Sequence, residues 1–253
     1  MDDDRVAIVT GGGTGIGAAT AKLLASHGLT VAVVSRSSDT LEQVTSEIGS
    51  EGGTAFALTT DLGDPDAPAN VVRSVLERTQ RLDVIVNNAA AFALAPFDEA
   101  DEAAFDRLIA VNVRAPFFLV QAALPALRLS PAAAVVNLSS AAAVMYRRGQ
   151  AIYALTKAAI EHLTKQMAFE LAPDGIRVNS IRPGPIDTPL HRAVENPEER
   201  LRQLGELTPL GRVGYPEEIA RWIWHLVDAE EDWVTGSVIS IDGGRVLGPP
   251  DRA

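Results

Sequence analysis

Residues 6–27 read VAIVTGGGTGIGAATAKLLASH, and this stretch decides the fold. Val6 to Thr10 is a short apolar run, a glycine-rich loop extends from Gly11 to Gly17, and residues 18–27 have helical composition. A glycine loop between a strand and a helix lets the backbone approach a pyrophosphate at the positive end of the helix dipole. The spacing is Gly-x-x-x-Gly-x-Gly rather than Gly-x-Gly-x-x-Gly, and a tight structural turn is the alternative. The flanking strand and helix favour nucleotide binding, and the lack of Gly-Lys-Ser/Thr argues against an NTPase P-loop.

The rest of the chain alternates between short apolar runs and helical patterns. The predicted strands are 29–34, 54–59, 82–86, 132–138, 176–181 and 238–241, and the further predicted helices are 41–48, 65–79, 99–111, 115–127, 151–171 and 216–227. Such alternation indicates right-handed βαβ units. We therefore predict the α/β class, with a single doubly wound domain spanning residues 1–253 and a seven-stranded parallel sheet flanked by helices.

Composition narrows the possible function classes. The 253-residue chain is 47% hydrophobic with a net charge of −11, which disfavours a general nucleic-acid or anionic-membrane surface. It has no cysteine, so disulfides, thiolate nucleophiles and cysteine-based metal sites are excluded. The amino terminus lacks a signal-peptide pattern, and no apolar run reaches the ~18 residues of a membrane span, so we expect a cytoplasmic protein. We expect no metal, because the histidines lack paired-ligand spacing: His27, His162, His191 and His225.

The end of the second predicted strand indicates which dinucleotide binds. An acidic residue there would accept a bond from a ribose 2′-hydroxyl, but this chain has Ser35 and Arg36, with no acid until Asp39. An arginine suits a 2′-phosphate by charge and by its forked donors, so we predict NADP (NADPH). A solvated arginine at a strand end is the alternative. Asp61, after the third strand, either accepts from the adenine amino group or belongs to a helix N-cap region.

Several polar or glycine-bearing loops follow the carboxyl ends of strands, which share one edge of a parallel sheet. They are the glycine loop, Asp61, Asn87-Asn88, Ser139-Ser140 and Pro183-Gly184. Tyr153 and Lys157, four residues apart, share a face of the helix that leaves this edge. A nearby ammonium would make the phenol more acidic, although a solvated helix face is the ordinary explanation for such a pair.

Taken in order, these motifs resemble the short-chain dehydrogenase/reductase family and its 3-oxoacyl-carrier-protein-reductase-like subgroup. The resemblance runs from Arg5 to about Leu247 and rests on Thr10-Gly11-x-x-x-Gly15-x-Gly17, Asn87-Asn88-Ala89-Ala90, Asn112, Ser140, Tyr153-x-x-x-Lys157 and Pro183-Gly184. Ala90 departs from the glycine usual in the family and should be tolerated if its φ is negative. The resemblance implies a Rossmann-type fold, a nicotinamide cofactor and redox chemistry on a carbonyl or alcohol. With the cofactor indicated by Arg36, we predict hydride transfer between NADP(H) and a small-molecule carbonyl or secondary alcohol.

The resemblance also implies roles for individual residues. Tyr153 would be the general acid/base, with its pKa lowered by Lys157 and by an oxidised nicotinamide, and Lys157 would also hold the nicotinamide ribose. Ser140, thirteen residues before Tyr153, would orient the substrate oxygen in preference to Ser139. Asn112 would hold a relay water for Lys157, or be a helix-terminus asparagine. The implied cofactor-binding set is Gly11, Thr14, Gly15, Ile16, Gly17, Ser35, Arg36, Ser37, Asp61, Leu62, Asn88, Ala89, Ala90, Tyr153, Lys157, Pro183, Gly184, Ile186 and Thr188.

The substrate is predicted to be a small or medium carbonyl compound. Carrier proteins are acidic, and this chain is acidic too, which disfavours their encounter. Asp174 also stands where carrier-protein reductases tend to be basic. Both points argue against a 3-oxoacyl-carrier-protein reductase, which stays as an alternative. Arg128, Arg147 and Arg148 are a candidate basic patch, or serve only solubility. Residues 189–213 form the predicted substrate lid, with an ordinary solvated helix as the alternative.

The resemblance further implies a homotetramer built on the helices at about 103–127 and 151–171 and on the last strand. Two other function classes remain. A non-catalytic dinucleotide-binding regulator has no need of the phenol of Tyr153. A redox-neutral epimerase or dehalogenase is the other, and dehalogenase-like relatives lose the glycine loop that this chain retains.

Overall fold

The computed structural model describes residues 4–193 and 195–249. Its centre is a seven-stranded, all-parallel sheet with strand order β3-β2-β1-β4-β5-β6-β7, which confirms the predicted fold class. The strand order reverses between β1 and β4, the position at which open α/β sheets form a ligand-binding crevice. The strands are β1 Val6–Thr10, β2 Thr30–Ser35, β3 Thr54–Thr59, β4 Val84–Asn87, β5 Ala134–Leu138, β6 Arg177–Pro183 and β7 Val238–Ile241.

Helices connect and cover the strands. They are α1 Gly15–Ser26, α2 Ser38–Ser50, α3 Ala67–Thr79, α4 Glu102–Ile109, α5 Ala115–Leu127, α6 Ala151–Leu171, α7 Pro189–Arg192, α8 Pro197–Glu206 and α9 Pro216–Val227. Short 3₁₀ turns lie at Phe97–Glu99, Ala141–Ala143, Ala172–Asp174 and Arg245–Leu247, and a π-helical turn at Ala110–Arg114 joins α4 to α5.

The starts of the first four helices differ from prediction by two or three residues, and α2 begins at Ser38 and α3 at Ala67. Helix α1 begins at Gly15, three residues before the predicted start, so the last part of the glycine motif is already helical. Helix α4 begins at Glu102 rather than residue 99, because the Asp101 carboxylate caps it by accepting from the Ala104 N–H at 2.7 Å.

The core lies on both faces of the sheet. Along β1, Val6 and Ile8 pack with α3, α5 and α6, while Ala7 and Val9 pack with α1, α2 and α9. Because a parallel sheet is covered on both faces, its strands are continuous apolar runs rather than alternating ones.

One helical stretch passes a length-and-composition test for membrane spans. It is Glu102–Leu127, 26 residues with a mean hydropathy of 1.5, although charged residues such as Asp106 and Arg114 interrupt it, so it is not a continuous apolar run. Its apolar character has another explanation in this fold, because Leu119, Val120 and Ala123 of α5 are buried against the sheet.

Candidate active site

The glycine loop is packed tightly against its neighbours. Gly11 and Gly15 have φ values of +63° and +53°, which favour glycine. A Cβ at Gly17 would overlap the Gly11 carbonyl oxygen and lie 2.6 Å from Asn88 Nδ2, so Gly17 is required by close packing. At Gly15 the nearest atom to such a Cβ is Thr188 Cγ2, at 3.1 Å, which joins this loop to the segment after β6.

The amino terminus of α1 can receive an anion. Thr14 occupies the N-cap position without a side-chain capping bond, and no acidic residue lies in the first turn. The first N–H groups of the helix are therefore free of side-chain acceptors, and together with the helix dipole they fit the pyrophosphate of a dinucleotide.

Asn88 fixes the shape of the loop. Its Nδ2 donates to the Thr10 carbonyl at 2.9 Å and to the Gly11 carbonyl at 3.1 Å. Thr10 Oγ1 in turn accepts from the backbone N–H groups of Asn88 at 3.0 Å and Ala89 at 3.1 Å. The amide nitrogen of Asn88 is thus used within the protein. Among non-glycine residues of the described ranges only Gln80 has a positive φ, so Ala90 meets the condition for replacing glycine.

Arg36 and Asp61 lie near each other beyond the ends of β2 and β3. Arg36 is exposed and forms no ion pair with another described residue. Asp61 accepts from the Gly63 N–H at 2.8 Å and from Arg107 at 2.9 and 3.0 Å. Burial raises the pKa of Asp61, but these bonds and the charges of Arg107 and Arg36 outweigh it, and the pKa lies below its ordinary value.

Other residues near Arg36 and Asp61 are held within the protein. Asp66 occupies the N-cap position of α3, without a side-chain capping bond, so Asp61 is not the N-cap residue of this helix. Ser35 Oγ donates to the Ser37 carbonyl at 3.3 Å, which stabilises the turn after β2. Leu62 is buried in the core, so its side chain does not face solvent.

Tyr153 and Ser140 are brought into hydrogen-bonding contact, and Lys157 lies one helical turn further on. Lys157 is 3% exposed, its Nζ donates to the Leu138 carbonyl at 2.7 Å, and this Nζ lies 5.7 Å from the centre of the Tyr153 ring. Ser140 caps the short 3₁₀ turn by accepting from the Ala142 N–H at 3.2 Å. The predicted acid/base residues therefore converge at one point.

Burial dominates the electrostatics of this group. Burial raises the pKa of Tyr153, and the hydrogen bond to Ser140 opposes that shift only in part. Burial also lowers the pKa of Lys157 to about 8. In this arrangement the pKa of Tyr153 therefore lies above its ordinary value, because desolvation of the phenolate is the largest effect. The expected lowering by Lys157 together with an oxidised nicotinamide stays a prediction.

Asn112 acts as a clamp beside Tyr153. Its side chain, 2% exposed, accepts from the Ala91 N–H at 2.7 Å and donates to the Ala91 carbonyl at 3.0 Å. Its second N–H donates to Thr156 Oγ1 at 3.0 Å, and that hydroxyl bonds the Tyr153 carbonyl at 2.8 Å. Asn112 lies inside a continuous helical run rather than at a helix terminus. With both amide hydrogens used, the predicted relay water would need its main-chain carbonyl or the remaining lone pair of Oδ1.

The turn after β6 lies beside the glycine loop. Gly184 donates to the Ile241 carbonyl at 3.0 Å, and a Cβ there would lie 2.7 Å from Asp242 Cα, so two backbones approach closely. Pro183 is the last residue of β6, and Thr188 follows to contact Gly15. Ile186 pairs with Gly214 and is buried in the core, lining a cavity of about 120 Å³. A nicotinamide contact at Ile186 would therefore come from its backbone.

The predicted lid contains α7 and α8. Arg192 binds the Asp187 carboxylate through two bonds of 2.6 Å and reaches Glu198 at 3.1 Å. At the far end of the lid Arg245 Nη1 donates to the Leu207 carbonyl at 2.9 Å. Both ends of the segment are thus tied down, and mobility between them stays a prediction.

The contact of Phe92 with Tyr153 and the bonds that Glu161 makes to Arg182 and Ser139 are not predicted from sequence. The ring of Phe92 packs edge-on against Tyr153, with centroids 4.9 Å apart at 81°. Glu161 accepts two bonds of 2.7 Å from Arg182, and a third of 2.7 Å from Ser139. Ser139 therefore faces away from the phenol, which agrees with the preference for Ser140. The i+4 spacing of Glu161 from Lys157 was the available signal.

One arginine of the candidate basic patch, Arg128, lies away from the other two. Arg128 lies after α5, at the edge of the sheet opposite the glycine loop, and pairs with Asp174 at 2.8 Å. Placing Arg128 near the active-site edge is therefore wrong. In the part of the chain that the structure describes, no group of three or more His, Cys, Asp or Glu side chains has an arrangement that would hold a metal ion.

Comparison with known proteins covers nearly the whole chain. Residues 11–245 match a family profile described as enoyl-(acyl carrier protein) reductase. The cyclopentanol dehydrogenase of Comamonas sp. is 34% identical over 96% of this chain and 97% of its own length. The 3-oxoacyl-[acyl-carrier-protein] reductase of Thermotoga maritima is 36% identical over 97% of this chain and 99% of its own.

Solved structures agree. A short-chain dehydrogenase/reductase from Serratia marcescens superposes with a TM-score of 0.90 at 37% identity, covering 96% of this chain and 98% of that one. A Beutenbergia cavernae structure with NADP bound at low occupancy has a TM-score of 0.89 at 33% identity, covering 96% of this chain and 97% of that one.

Proposed function

The chain belongs to the short-chain dehydrogenase/reductase family, and on that premise we propose that it transfers a hydride between NADP(H) and a small carbonyl or secondary alcohol substrate. The observation that carries the proposal is the convergence of Tyr153, Ser140 and Lys157 at the same edge of the sheet as the uncapped start of α1. A half-buried phenol that bonds a serine hydroxyl and lies near a buried amine is arranged for proton transfer.

The chain's own residues divide the chemistry. When bound, a reduced nicotinamide supplies the hydride. Ser140 Oγ donates a hydrogen bond to the substrate carbonyl oxygen and orients it. The Tyr153 hydroxyl gives that oxygen a proton as it gains negative charge, and recovers the proton in the oxidation direction. Lys157 lies close enough to stabilise the phenolate that Tyr153 becomes, and Asn112 holds the backbone on either side of the phenol in place.

Tyr153→Phe tests the mechanism. We expect consumption of NADPH with a panel of ketones to fall by at least about 100-fold, because general acid catalysis contributes roughly that much. Tyr215→Phe is the matched control, since Tyr215 is half exposed and bonds to none of these residues. Full activity of Tyr153→Phe on an accepted ketone would refute the assigned role.

We propose that Arg36 determines a preference for NADP over NAD. The amides at the start of α1 would hold the pyrophosphate and Arg36 the 2′-phosphate. The support is that Arg36 makes no ion pair among the described residues and lies beside Asp61, and that the Beutenbergia cavernae relative contains NADP. We also propose the remaining residues of the predicted cofactor-binding set, which rest on the resemblance to the family.

Arg36→Ala tests this preference. We expect the Kd for NADPH to rise about 10- to 100-fold, because a bond between two charged groups is worth roughly 1.5–3 kcal/mol. The Kd for NADH should not change. Arg73→Ala, an exposed arginine on α3, is the control. NADH binding as tightly as NADPH, with no effect of Arg36→Ala, would contradict the proposal.

The remaining proposals concern organisation. Residues 1–253 are proposed as one catalytic domain with a lid at 189–213, in a cytoplasmic homotetramer. Exposed Phe117 and Phe118 on α5 and Phe169 on α6 support an interface between copies, and light scattering after gel filtration measures the assembly. The relatives are named as dehydrogenases and reductases, which gives a non-catalytic regulator no support, and the Thermotoga maritima relative keeps 3-oxoacyl-carrier-protein reduction as a specific alternative.

A further inference from the structure

Four basic side chains lie on elements that follow β5, β6 and β7, at the edge of the sheet where Ser140 and Tyr153 also lie. Arg147 lies in the loop between β5 and α6, six residues before Tyr153, His191 lies on α7, Arg200 on α8 and Arg245 in the 3₁₀ turn after β7. These elements follow β5, β6 and β7, whereas Arg36 follows β2 on the other half of the sheet. The group is therefore distinct from the proposed 2′-phosphate site.

Arg147 and Arg200 lie within electrostatic range of His191, and Arg147 also lies within range of Arg245. Burial lowers the pKa of His191, and the charges of Arg200 and Arg147 lower it further. Burial also lowers the pKa of Arg245, and the charge of Arg147 adds to that shift. Arg147 thus lies within electrostatic reach of two elements from different parts of the chain.

The acidic groups around this cluster already have partners, although the charge of Asp242 still acts on Arg245 and that of Asp187 on His191. Asp187 and Glu198 are bound by Arg192, and both Asp242 oxygens accept backbone N–H groups at 2.9 Å. Within residues 4–193 and 195–249, none of Arg147, Arg200 and Arg245 forms an ion pair, although the whole chain carries a net charge of −11. Holding like charges together costs free energy, and a bound anion would remove that cost.

Exposed apolar side chains occur on loops at the same edge of the sheet. Phe92, packed on Tyr153, is 37% exposed, Leu94 is 54% exposed in the same loop, and Leu190 is 51% exposed next to His191. Tyr146, beside Arg147, is fully exposed. Such a surface suits a substrate with an apolar body and one charged end.

We propose that the substrate is an anionic ketone or hydroxy acid, whose charged oxygen group binds Arg147, Arg200 and Arg245 while its carbonyl or hydroxyl meets Ser140 and Tyr153. This rests on the proposed oxidoreductase function and names its substrate class. The recognising chemistry is shared by a carboxylate and a phosphate monoester, and both are compared in the test. In the reducing direction the ketone gains a hydride and a proton and keeps its anionic group unchanged.

The experiment compares charged and neutral ketones of the same length. With saturating NADPH, kcat/KM is measured for 4-oxopentanoate, 5-oxohexanoate and 6-oxoheptanoate, for their methyl esters, and for 4-oxopentyl phosphate. We expect at least one anion to exceed its neutral counterpart about 10-fold or more through KM, and the stronger of the carboxylate and phosphate series identifies the anionic group.

Two variants and a control assign the effect to the cluster. Arg147→Gln and Arg200→Gln should each lower kcat/KM for the preferred anion about 10-fold and leave the esters and the Kd for NADPH unchanged. Arg202→Gln, on the same helix as Arg200 but paired with Glu199 and Glu206, should change neither. Esters as good as acids at every length, or variants that weaken NADPH binding instead, would overturn the proposal.

If no ketone is turned over, the proposed function fails. The anion site is then tested separately, by measuring binding. Calorimetric titration of the NADP⁺-saturated protein with the same acids, esters and phosphate is then the measurement. Binding of an anion but not its neutral counterpart, weakened in Arg200→Gln, supports an anion site. No difference between charged and neutral compounds overturns it.

Discussion

Raising the pH from 7 to 9 should stabilise the folded protein through Lys157. This amine is 3% exposed and donates to the Leu138 carbonyl, and burial lowers its pKa from 10.5 to about 8. Between those two values the unfolded chain still holds the proton that the folded chain has released. Since stability rises with pH wherever the unfolded state binds more protons, the free energy of unfolding should increase across this window.

The size of the effect follows from the two pKa values of Lys157. Relative to the unfolded chain, the lowered pKa of Lys157 costs the folded state about 3 kcal/mol at pH 7 and about 2 kcal/mol at pH 9, so the gain is about 1 kcal/mol. The phenol of Tyr153, whose pKa burial raises from 10.0, titrates above this range and does not contribute.

Urea unfolding of the wild type and of Lys157→Met at pH 7, 8 and 9 measures this effect. The variant removes the titrating group, so the difference in unfolding free energy between the two proteins isolates it from other ionisations. We expect that difference to shift by about 1 kcal/mol towards the wild type from pH 7 to pH 9. Parallel pH dependences in the two proteins would show that Lys157 keeps an ordinary pKa and would refute the reasoning.

Two further changes test the packing of the site. Glu161→Gln leaves Arg182 without its counter-charge in a largely buried position and should cost about 3 kcal/mol, whereas Glu199→Gln, in an exposed ion pair, should cost less than about 1 kcal/mol; equal losses in urea unfolding would contradict this. Gly17→Ala places a methyl group against the backbone of the glycine loop and should weaken NADPH binding about 10-fold or more, while Gly49→Ala on α2 meets no atom within 4 Å and should leave binding unchanged and stabilise by about 0.5–1 kcal/mol.

The sheet and its loops could be predicted because they depend on local patterns. Apolar runs of strand length fixed the seven strands, and their parallel order placed the polar loops at one edge. The prediction that distant loops meet is confirmed by the Thr188 side chain beside Gly15 and by the Asn88 bonds to Thr10. The exact start of α4 was missed because the cap at Asp101 is a local bond that periodicity does not reveal.

Energetic features of the site required the packed structure. Whether a phenol becomes more or less acidic depends on competition between burial and nearby charge, and sequence spacing reports only the charge. Spacing placed Lys157 near Tyr153 correctly, but burial raises the pKa of the phenol in the structure. The position of Arg128 was also predicted wrongly, because its partner Asp174 lies 46 residues away along the chain and sequence spacing does not reveal such a pair.

Helix α6 shows how polar residues fix the position of the predicted acid/base pair. Its inner face carries Lys157, Glu161 and Thr164, all buried, where an amphipathic helix would normally place apolar side chains. Lys157 bonds the Leu138 carbonyl of β5, and Thr164 accepts from Asn137 of the same strand at 2.9 Å. Sliding the helix by one residue would leave several buried polar groups unpaired, at about 1–3 kcal/mol each. Apolar contacts tolerate such shifts more readily, so this polar face holds α6, and with it the phenol, in one register.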